Sequence, residues 1–185
     1  MKYGRYGDKE TGIAETGLVQ IYTGCGKGKT TAAAGLAIRA AGRGLPCAAV
    51  QFMKTGDSGE IMTMKEKCGI PVFSYGTDRF CIPGAPDPEN IEAAEKAMRK
   101  AEELIRQMSS GVLILDEICC AESFGLVETG RILSLIGSKP ESLEIVMTGR
   151  HAASALIEMA DLVTEMKEIK HPMSKGIEAR KGIEY

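Results

Sequence analysis

The chain has 185 residues, of which 44% are apolar and 26% are charged, and its formal net charge at pH 7 is −2. This length and composition predict one domain that can bury a substantial core. The near-neutral charge excludes a whole-protein positive field for nucleic acid or an anionic membrane, so any anion-binding site has to be local.

Neither a membrane nor a secretory route is indicated by the sequence. No apolar run reaches the ~20 residues that span a bilayer, and the N-terminal segment MKYGRYGDKETG is too polar and glycine-rich for a signal peptide. We therefore expect a cytoplasmic protein without membrane or nucleic-acid partners. The cysteines have no C-x-x-C spacing, which predicts small buried residues and one loop thiol, Cys25, rather than disulfides or zinc ligands.

The first part of the chain alternates strand and helix. Residues 1–17 are interpreted as a flexible, glycine-rich arm, and the domain itself is expected to span 18–185. Apolar runs and helical spacing then predict, in chain order, a strand at 18–22, a helix at 30–41, a strand at 46–52, a short helix at about 60–67 and a strand at 71–75.

The same alternation continues after a Gly- and Pro-rich loop at 76–87. Asp87 and Pro88 form an N-cap and first-turn signal for a surface helix of about twenty residues. The later predicted elements are a strand at 112–117, a helix near 128–136, a strand at 144–148, a helix at about 152–160 and a strand at 162–166. Helices between successive strands require crossovers, so the expected fold class is α/β, with a mostly parallel sheet and helices on both faces.

A glycine-rich loop connects the first predicted strand to the first helix. It reads TGCGKGKTTAAAG from Thr23 to Gly35, with Thr23 where the pattern G-x-x-x-x-G-K-[ST] has its first glycine. A strand, a glycine-rich turn, Lys-Thr and a helix N-terminus place backbone N–H groups around one anion, as in a P-loop NTPase. The loop is tighter by about one residue and has gained Lys27, which suits a reaction in which the whole triphosphate leaves.

A second motif completes the pattern of a nucleotide site. The run VLILDE ends in Asp116 and Glu117, the usual form of a Walker B strand, which brings carboxylates to a metal beside the phosphates. Lys29 adds a positive charge to the loop, and the hydroxyl of Thr30 is a ligand for Mg²⁺. These residues together predict a site for a nucleoside triphosphate with Mg²⁺ or Mn²⁺.

Two other classes of protein stay open on the residues alone. A P-loop kinase or ATPase would act on the γ-phosphate, and spacing does not exclude it. Such an enzyme is expected to carry an arginine-rich lid, whereas the candidate lid, 76–87, has one arginine. A non-turnover ATP-binding regulator would not need both loop lysines and both acidic residues, and this chain has all four.

Several segments resemble the ATP:corrinoid adenosyltransferases of the cob(I)yrinic acid a,c-diamide type. They are, in order, YTGCGKGKTTAA, VQFMKTG, LILDE, MTGR, DLVTEMKEIKHP and the closing KGIEARKGIEY. The resemblance covers about residues 18–185. It implies that the Co(I) of a reduced corrinoid attacks the 5′ carbon of ATP and expels inorganic triphosphate, in cobalamin biosynthesis or salvage.

The resemblance also assigns roles to particular residues. The triphosphate would be held by Gly24, Cys25, Gly26, Lys27, Gly28, Lys29, Thr30 and Thr31. Lys27 and Lys29 would stabilise the leaving triphosphate, and Thr30 with Asp116 and Glu117 would serve the metal. Three further residues would line the nucleotide or corrinoid side: Gln51, Lys54 and Arg150.

The chain departs from the family pattern at two places. Cys25 stands where the family loop commonly has Asn, so that side-chain amide is missing. Of an aromatic pair that packs against the corrinoid in some members, this chain has Phe80, with Ile82 at the second position. Phe80 is expected to cover the lower face of the corrinoid and so to ease the reduction of Co(II).

The resemblance implies partners besides the two substrates. A reductant system has to supply Co(I). A homodimer is expected, because the polar arm at 1–17 has few apolar residues to pack on its own domain and such an arm can cover a neighbouring subunit's active site.

Overall fold

The computed structural model describes residues 16–77, 81–82, 85 and 87–184. Within these ranges strands and helices alternate along the chain. They are β1 (Val19–Thr23), α1 (Lys29–Ala41), β2 (Cys47–Phe52), α2 (Gly59–Glu66), β3 (Val72–Tyr75), α3 (Pro88–Gln107), β4 (Ser110–Asp116), α4 (Ile118–Ser123), α5 (Thr129–Gly137), β5 (Ser142–Thr148), α6 (Ser154–Met159) and β6 (Leu162–Glu165), followed by a 3₁₀ turn at Pro172–Lys175.

The strands form one parallel sheet in the order β3-β2-β4-β5-β1-β6. Because the strands are parallel, all of their carboxyl ends lie at one edge. The register places Gln51 of β2 beside Asp116 of β4, and Tyr22 of β1 beside Thr148 of β5. The loops that follow β1, β2, β4 and β5 therefore meet at this edge, where open parallel sheets bind their ligands.

Helices cover both faces of the sheet. On one face α1 and α2 pack against side chains such as Val112, Ile114 and Val146. On the other face the remaining helices pack against Leu113 and Leu115 and their neighbours. Successive residues of β4 are buried on opposite faces, which explains why its sequence is continuously apolar. The predicted fold class, α/β with a mostly parallel sheet and helices on both faces, is confirmed.

Most of the predicted elements are present with ends shifted by only a few residues. The predicted N-cap of the long helix is confirmed, since Asp87 Oδ1 accepts hydrogen bonds of 3.0 Å from the N–H groups of Glu89 and Asn90. The prediction missed α4 and the turn at Pro172–Lys175. The helix α4 has 6 residues and starts directly after β4, so it is too short to show a helical period.

The N-terminal arm lies mainly outside the described residues, which begin at 16. Gly17 is joined to the segment between α5 and β5, because its N–H donates to the Glu141 carbonyl at 2.7 Å and its carbonyl accepts from Lys139 Nζ at 2.6 Å. Across the described ranges no helix combines the length and apolar character needed to cross a bilayer.

Candidate active site

The loop between β1 and α1 is shaped by its glycines. Gly24 has φ 96°, and a Cβ there would lie 2.4 Å from the carbonyl oxygen of Met166. A Cβ on Gly26 would lie 2.7 Å from the same oxygen, which accepts a 2.7 Å hydrogen bond from the Gly26 N–H. The loop thus rests directly on the backbone that follows β6. This contact explains why a glycine stands at each of these positions.

The two loop lysines make different contacts. The ammonium of Lys29 is buried and donates to the carbonyls of Gly24 at 2.7 Å and Gly26 at 2.9 Å. Lys27 is more exposed and reaches the C-terminal segment, where its ammonium donates to the Ile183 carbonyl at 2.8 Å and the Glu184 carboxylate at 3.1 Å. Two positive charges therefore stand at the same loop, one held by the loop carbonyls and one by the C-terminal segment.

Asp116 ends β4 and is surrounded by hydrogen-bond donors. Its Oδ1 accepts from Thr30 at 2.9 Å and from Thr148 at 2.7 Å, and its Oδ2 accepts from Gln51 at 2.9 Å and Lys54 at 2.8 Å. Burial would raise the pKa of Asp116, but the charge of Lys54 and these hydrogen bonds outweigh burial and hold it below its usual value. Asp116 is therefore a buried anion with satisfied oxygens.

Lys54 places its ammonium beside each residue that the sequence nominates for the metal. Besides Asp116, it donates to the Thr30 hydroxyl at 2.8 Å and lies 3.5 Å from a carboxylate oxygen of Glu117. Burial acts to lower the pKa of Lys54, but the charges of Asp116 and Glu117 raise it above its ordinary value. Lys54 thus offsets one of the two negative charges of the acidic pair.

The side chain of Gln51 links Asp116 to Ser74 of β3. Its side chain is completely buried, its amide nitrogen donates to Asp116, and its amide oxygen accepts from the Ser74 hydroxyl at 2.9 Å. Both ends of the amide are therefore engaged by the protein. The sequence predicted Gln51 on the nucleotide or corrinoid side; it borders the site cavity, and its contacts hold the Asp116 carboxylate in one orientation.

Sequence reasoning named no role for Thr148. Its hydroxyl donates to Asp116 and accepts from the backbone N–H of Glu117 at 2.9 Å. That N–H belongs to a residue with φ 61°, the left-handed conformation that a side chain seldom adopts. Thr148 therefore fixes both acidic residues. The sequence places Thr148 at the end of a strand, but only the structure shows that this strand, β5, lies beside β4.

Cys120 is a second residue whose role the sequence did not indicate. Its sulfur accepts a hydrogen bond from the N–H of Arg150 at 3.1 Å, and its thiol hydrogen-bonds with Glu117. Burial, together with the charge of Glu117, raises the pKa of this thiol to about 12. The cysteine prediction was correct for Cys25, which is exposed, and for Cys47 and Cys119, which are buried. It was wrong for Cys68, Cys81 and Cys120, which are partly exposed.

One cavity brings the nominated residues together. Its volume is about 640 Å³, and it lies at the carboxyl edge of the sheet. Its walls include the loop residues Cys25, Gly26, Lys27, Gly28, Lys29, Thr30 and Thr31, with Gln51, Lys54, Glu117 and Arg150 facing them. Gly24 and Asp116 lie behind this wall and contact it through the hydrogen bonds described above. Phe80 falls outside the described residues.

The donor set fits a hard divalent cation bound together with phosphate. Among the described residues no group of three or more His, Cys, Asp or Glu side chains could hold a metal ion alone. The hydroxyl of Thr30 and the carboxylates of Asp116 and Glu117 offer oxygen ligands. Mg²⁺ is usually held by one or two carboxylates, with phosphate and water completing its shell.

The comparison that decides the family is with a family model. A model described as ATP:corrinoid adenosyltransferase BtuR/CobO/CobP matches residues 15–185. The chain belongs to the ATP:corrinoid adenosyltransferase family. The resemblance that its motifs indicated is thereby confirmed, and with it the enzyme class.

Named relatives agree with this assignment. The chain is 38% identical to a corrinoid adenosyltransferase of Sinorhizobium sp, over 92% of this chain and 81% of the relative. It is 35% identical to a protein of that name from Pseudomonas aeruginosa, over 92% of this chain and 85% of the relative. An Escherichia coli K12 corrinoid adenosyltransferase is 30% identical, over 92% of this chain and 87% of the relative.

Proposed function

We propose that this adenosyltransferase moves the 5′-deoxyadenosyl group of ATP to the Co(I) of a reduced corrinoid. The observation that carries the proposal is the single cavity in which the loop with Lys27 and Lys29 faces Lys54, Glu117 and Arg150. The family to which the chain belongs indicates that the two substrates are ATP and a corrinoid. The cobalt electron pair forms the cobalt–carbon bond, and the breaking C5′–O bond leaves its electrons on inorganic triphosphate.

The loop binds and stabilises the leaving group in this proposal. The first residues of α1, Lys29 to Thr31, line the cavity, and helix N-termini favour anions. Lys29 and Lys27 add two positive charges, which are most useful when negative charge develops on the departing triphosphate. Lys29 donates to the carbonyls of Gly24 and Gly26 at 2.7 and 2.9 Å, and the third N–H of its ammonium is left for a phosphate oxygen.

We also propose a metal ion, Mg²⁺ or Mn²⁺, held by Thr30, Asp116 and Glu117. When bound, it would neutralise triphosphate oxygens and act as a Lewis acid toward the leaving group. Gln51 and Thr148 support this function by orienting Asp116 through hydrogen bonds of 2.9 and 2.7 Å. A carboxylate held by such hydrogen bonds keeps one orientation toward a bound metal ion.

Fewer residues support the proposed binding of the corrinoid. Arg150 lines the cavity from the turn that follows β5, and we propose that it contacts either substrate. Phe80 keeps its proposed role against the lower corrinoid face. A separate reductant is expected to deliver Co(I), and the cytoplasm is the proposed location.

The products of the reaction test this function directly. With ATP and chemically reduced cobalamin, phosphorus NMR is expected to show inorganic triphosphate forming in step with the alkylcobalt absorption spectrum. ADP as the stoichiometric product would place the protein with the kinases or ATPases instead. Binding of ATP without any product would support the non-turnover regulator.

We further propose a homodimer. The edge strand β6 leaves Leu162 and Val163 exposed at 41% and 39%, and Ile157 of α6 is exposed at 40%. Light scattering at micromolar concentration is expected to give the dimer mass, and Leu162→Glu is expected to lower it. The matched control is Met62→Glu, at an exposed methionine of α2. A monomeric wild type with full activity would contradict the proposal.

A further inference from the structure

The ammonium of Lys54 stands where a metal ion would have to stand. It lies 2.8 Å from the Thr30 hydroxyl, 2.8 Å from Asp116 and 3.5 Å from Glu117. These are the three oxygen donors proposed for the metal. Mg²⁺ requires its oxygens at ~2.0–2.1 Å, so an ion that binds all three has to occupy the space between them, which the ammonium now holds. Lys54 and the metal therefore compete for one place.

The donors around Asp116 differ in how readily they can be exchanged. An ionised carboxylate offers about four acceptor positions, and the structure shows donors to Asp116 from Thr30, Thr148, Gln51 and Lys54. Gln51 is completely buried and Thr148 lies in the central sheet, so withdrawing either would leave a buried polar group without its partner.

Lys54 is the donor that can leave. It follows β2 in a loop whose first residue, Met53, has φ 56°, and its side chain is 32% exposed at the cavity. A lysine has a flexible stem and a compact charge with three donors. Because Lys54 lines the same cavity as Lys27 and Lys29, a triphosphate bound there lies within reach of its ammonium.

We propose that Lys54 is the resident cation of the metal site, and that a divalent metal displaces it onto the triphosphate. This inference rests on the proposed metal-dependent function. Without nucleotide, the Lys54 ammonium has no other anion to pair with, so a metal ion displaces it poorly and binds weakly. Metal and triphosphate entering together satisfy the two carboxylates and the ammonium at once, and each therefore strengthens the binding of the other.

Mn²⁺ binding without nucleotide tests this exchange. Free Mn²⁺ is measured by its EPR signal in the presence of the full chain, at fixed pH and ionic strength. We expect Lys54→Met to bind Mn²⁺ about tenfold or more tightly than wild type, because the competing charge is gone. Lys54→Arg keeps a cation there and is expected to bind Mn²⁺ as weakly as wild type. Lys65→Met, at an exposed lysine of α2, is the matched control and is expected to change nothing.

The second measurement uses inorganic triphosphate as the probe. Calorimetry is expected to show that Mn²⁺ raises the affinity of wild type for triphosphate by a larger factor than it does for Lys54→Met. Mn²⁺ alone is also expected to raise the melting temperature of Lys54→Met but not that of wild type. Should Lys54→Met not fold, Lys54→Gln, which keeps a neutral donor, takes its place in both measurements.

Two results would overturn the proposal. One is equal or weaker Mn²⁺ binding by the folded, uncharged variant. The other is an unchanged coupling factor between Mn²⁺ and triphosphate. Neither measurement uses a corrinoid, so triphosphate formation in the product assay would leave the adenosyltransferase function standing even if the exchange at Lys54 failed.

Discussion

Replacing Lys29 by Ala is expected to lower the rate of adenosyl transfer by about 10²–10³-fold, because loss of one positioned charge at a developing anion typically costs ~3 kcal/mol of barrier. Lys29 is the loop lysine whose ammonium is buried beside the loop carbonyls. Lys27→Ala is expected to lower the rate by a smaller factor, since Lys27 is more exposed and already pairs with Glu184 at 3.1 Å. The rate is followed by the visible spectrum of the alkylcobalt product.

The controls separate loss of charge from loss of the loop. Lys65→Ala removes an exposed lysine on α2 and is expected to react at the wild-type rate. The melting temperature of Lys29→Ala reports on the loop, because Lys29 also holds the carbonyls of Gly24 and Gly26. Near-normal rates in both loop variants would refute the assignment of the triphosphate site.

The alternating pattern of the sequence was sufficient to predict the sheet and its helices. Parallel strands buried on both faces are continuously apolar, as β4 is, and the helices between them have a distinct period. The short helix α4 was missed because its 6 residues make fewer than two turns, too few for the buried residues Ile118, Cys119 and Ala121 to show a helical period. Pattern alone does not separate such a helix from a loop.

The loop and the acidic pair were predictable because their function depends on short-range spacing. A glycine-rich turn followed by Lys-Thr, and a strand ending in two acids, each carry their chemistry in a few consecutive residues. What surrounds them depends on neighbours in the sheet instead. The hydrogen bonds of Gln51 and Thr148 to Asp116 exist because β2 and β5 flank β4, and a single sequence does not state the strand order.

The contacts of Lys54 illustrate the same limit. The family resemblance placed Lys54 on the nucleotide or corrinoid side of the site, and it does line the cavity. The sequence contained no signal that its ammonium would face Thr30, Asp116 and Glu117 together. The backbone turns immediately before Lys54, at Met53, where φ is 56°, and a sequence pattern does not predict such a turn at a methionine.

Asp116→Asn is expected to lower the rate of adenosyl transfer by a factor comparable to that of Lys29→Ala. The amide keeps the size of the carboxylate but loses its charge. Its NH₂ group faces hydrogen-bond donors whichever oxygen it replaces: Gln51 and Lys54 at Oδ2, or Thr30 and Thr148 at Oδ1. The variant is also expected to unfold more easily at pH 7, because an unpaired buried donor costs ~1–3 kcal/mol.

The pH dependence of that stability loss checks its electrostatic origin. The folded protein holds the pKa of Asp116 below 3.8, so ionised Asp116 stabilises the fold above that pH, and this contribution is lost as the pH falls through the folded-state pKa. Urea unfolding is therefore expected to show the largest difference between wild type and Asp116→Asn near neutral pH, and a shrinking difference in acid. Glu117→Gln, at a side chain that is 21% exposed, is expected to change stability less. A wild-type rate in folded Asp116→Asn would show that the Asp116 carboxylate is not the anion of the metal site. A stability difference that grows as the pH falls would show that it is not the counter-ion of Lys54.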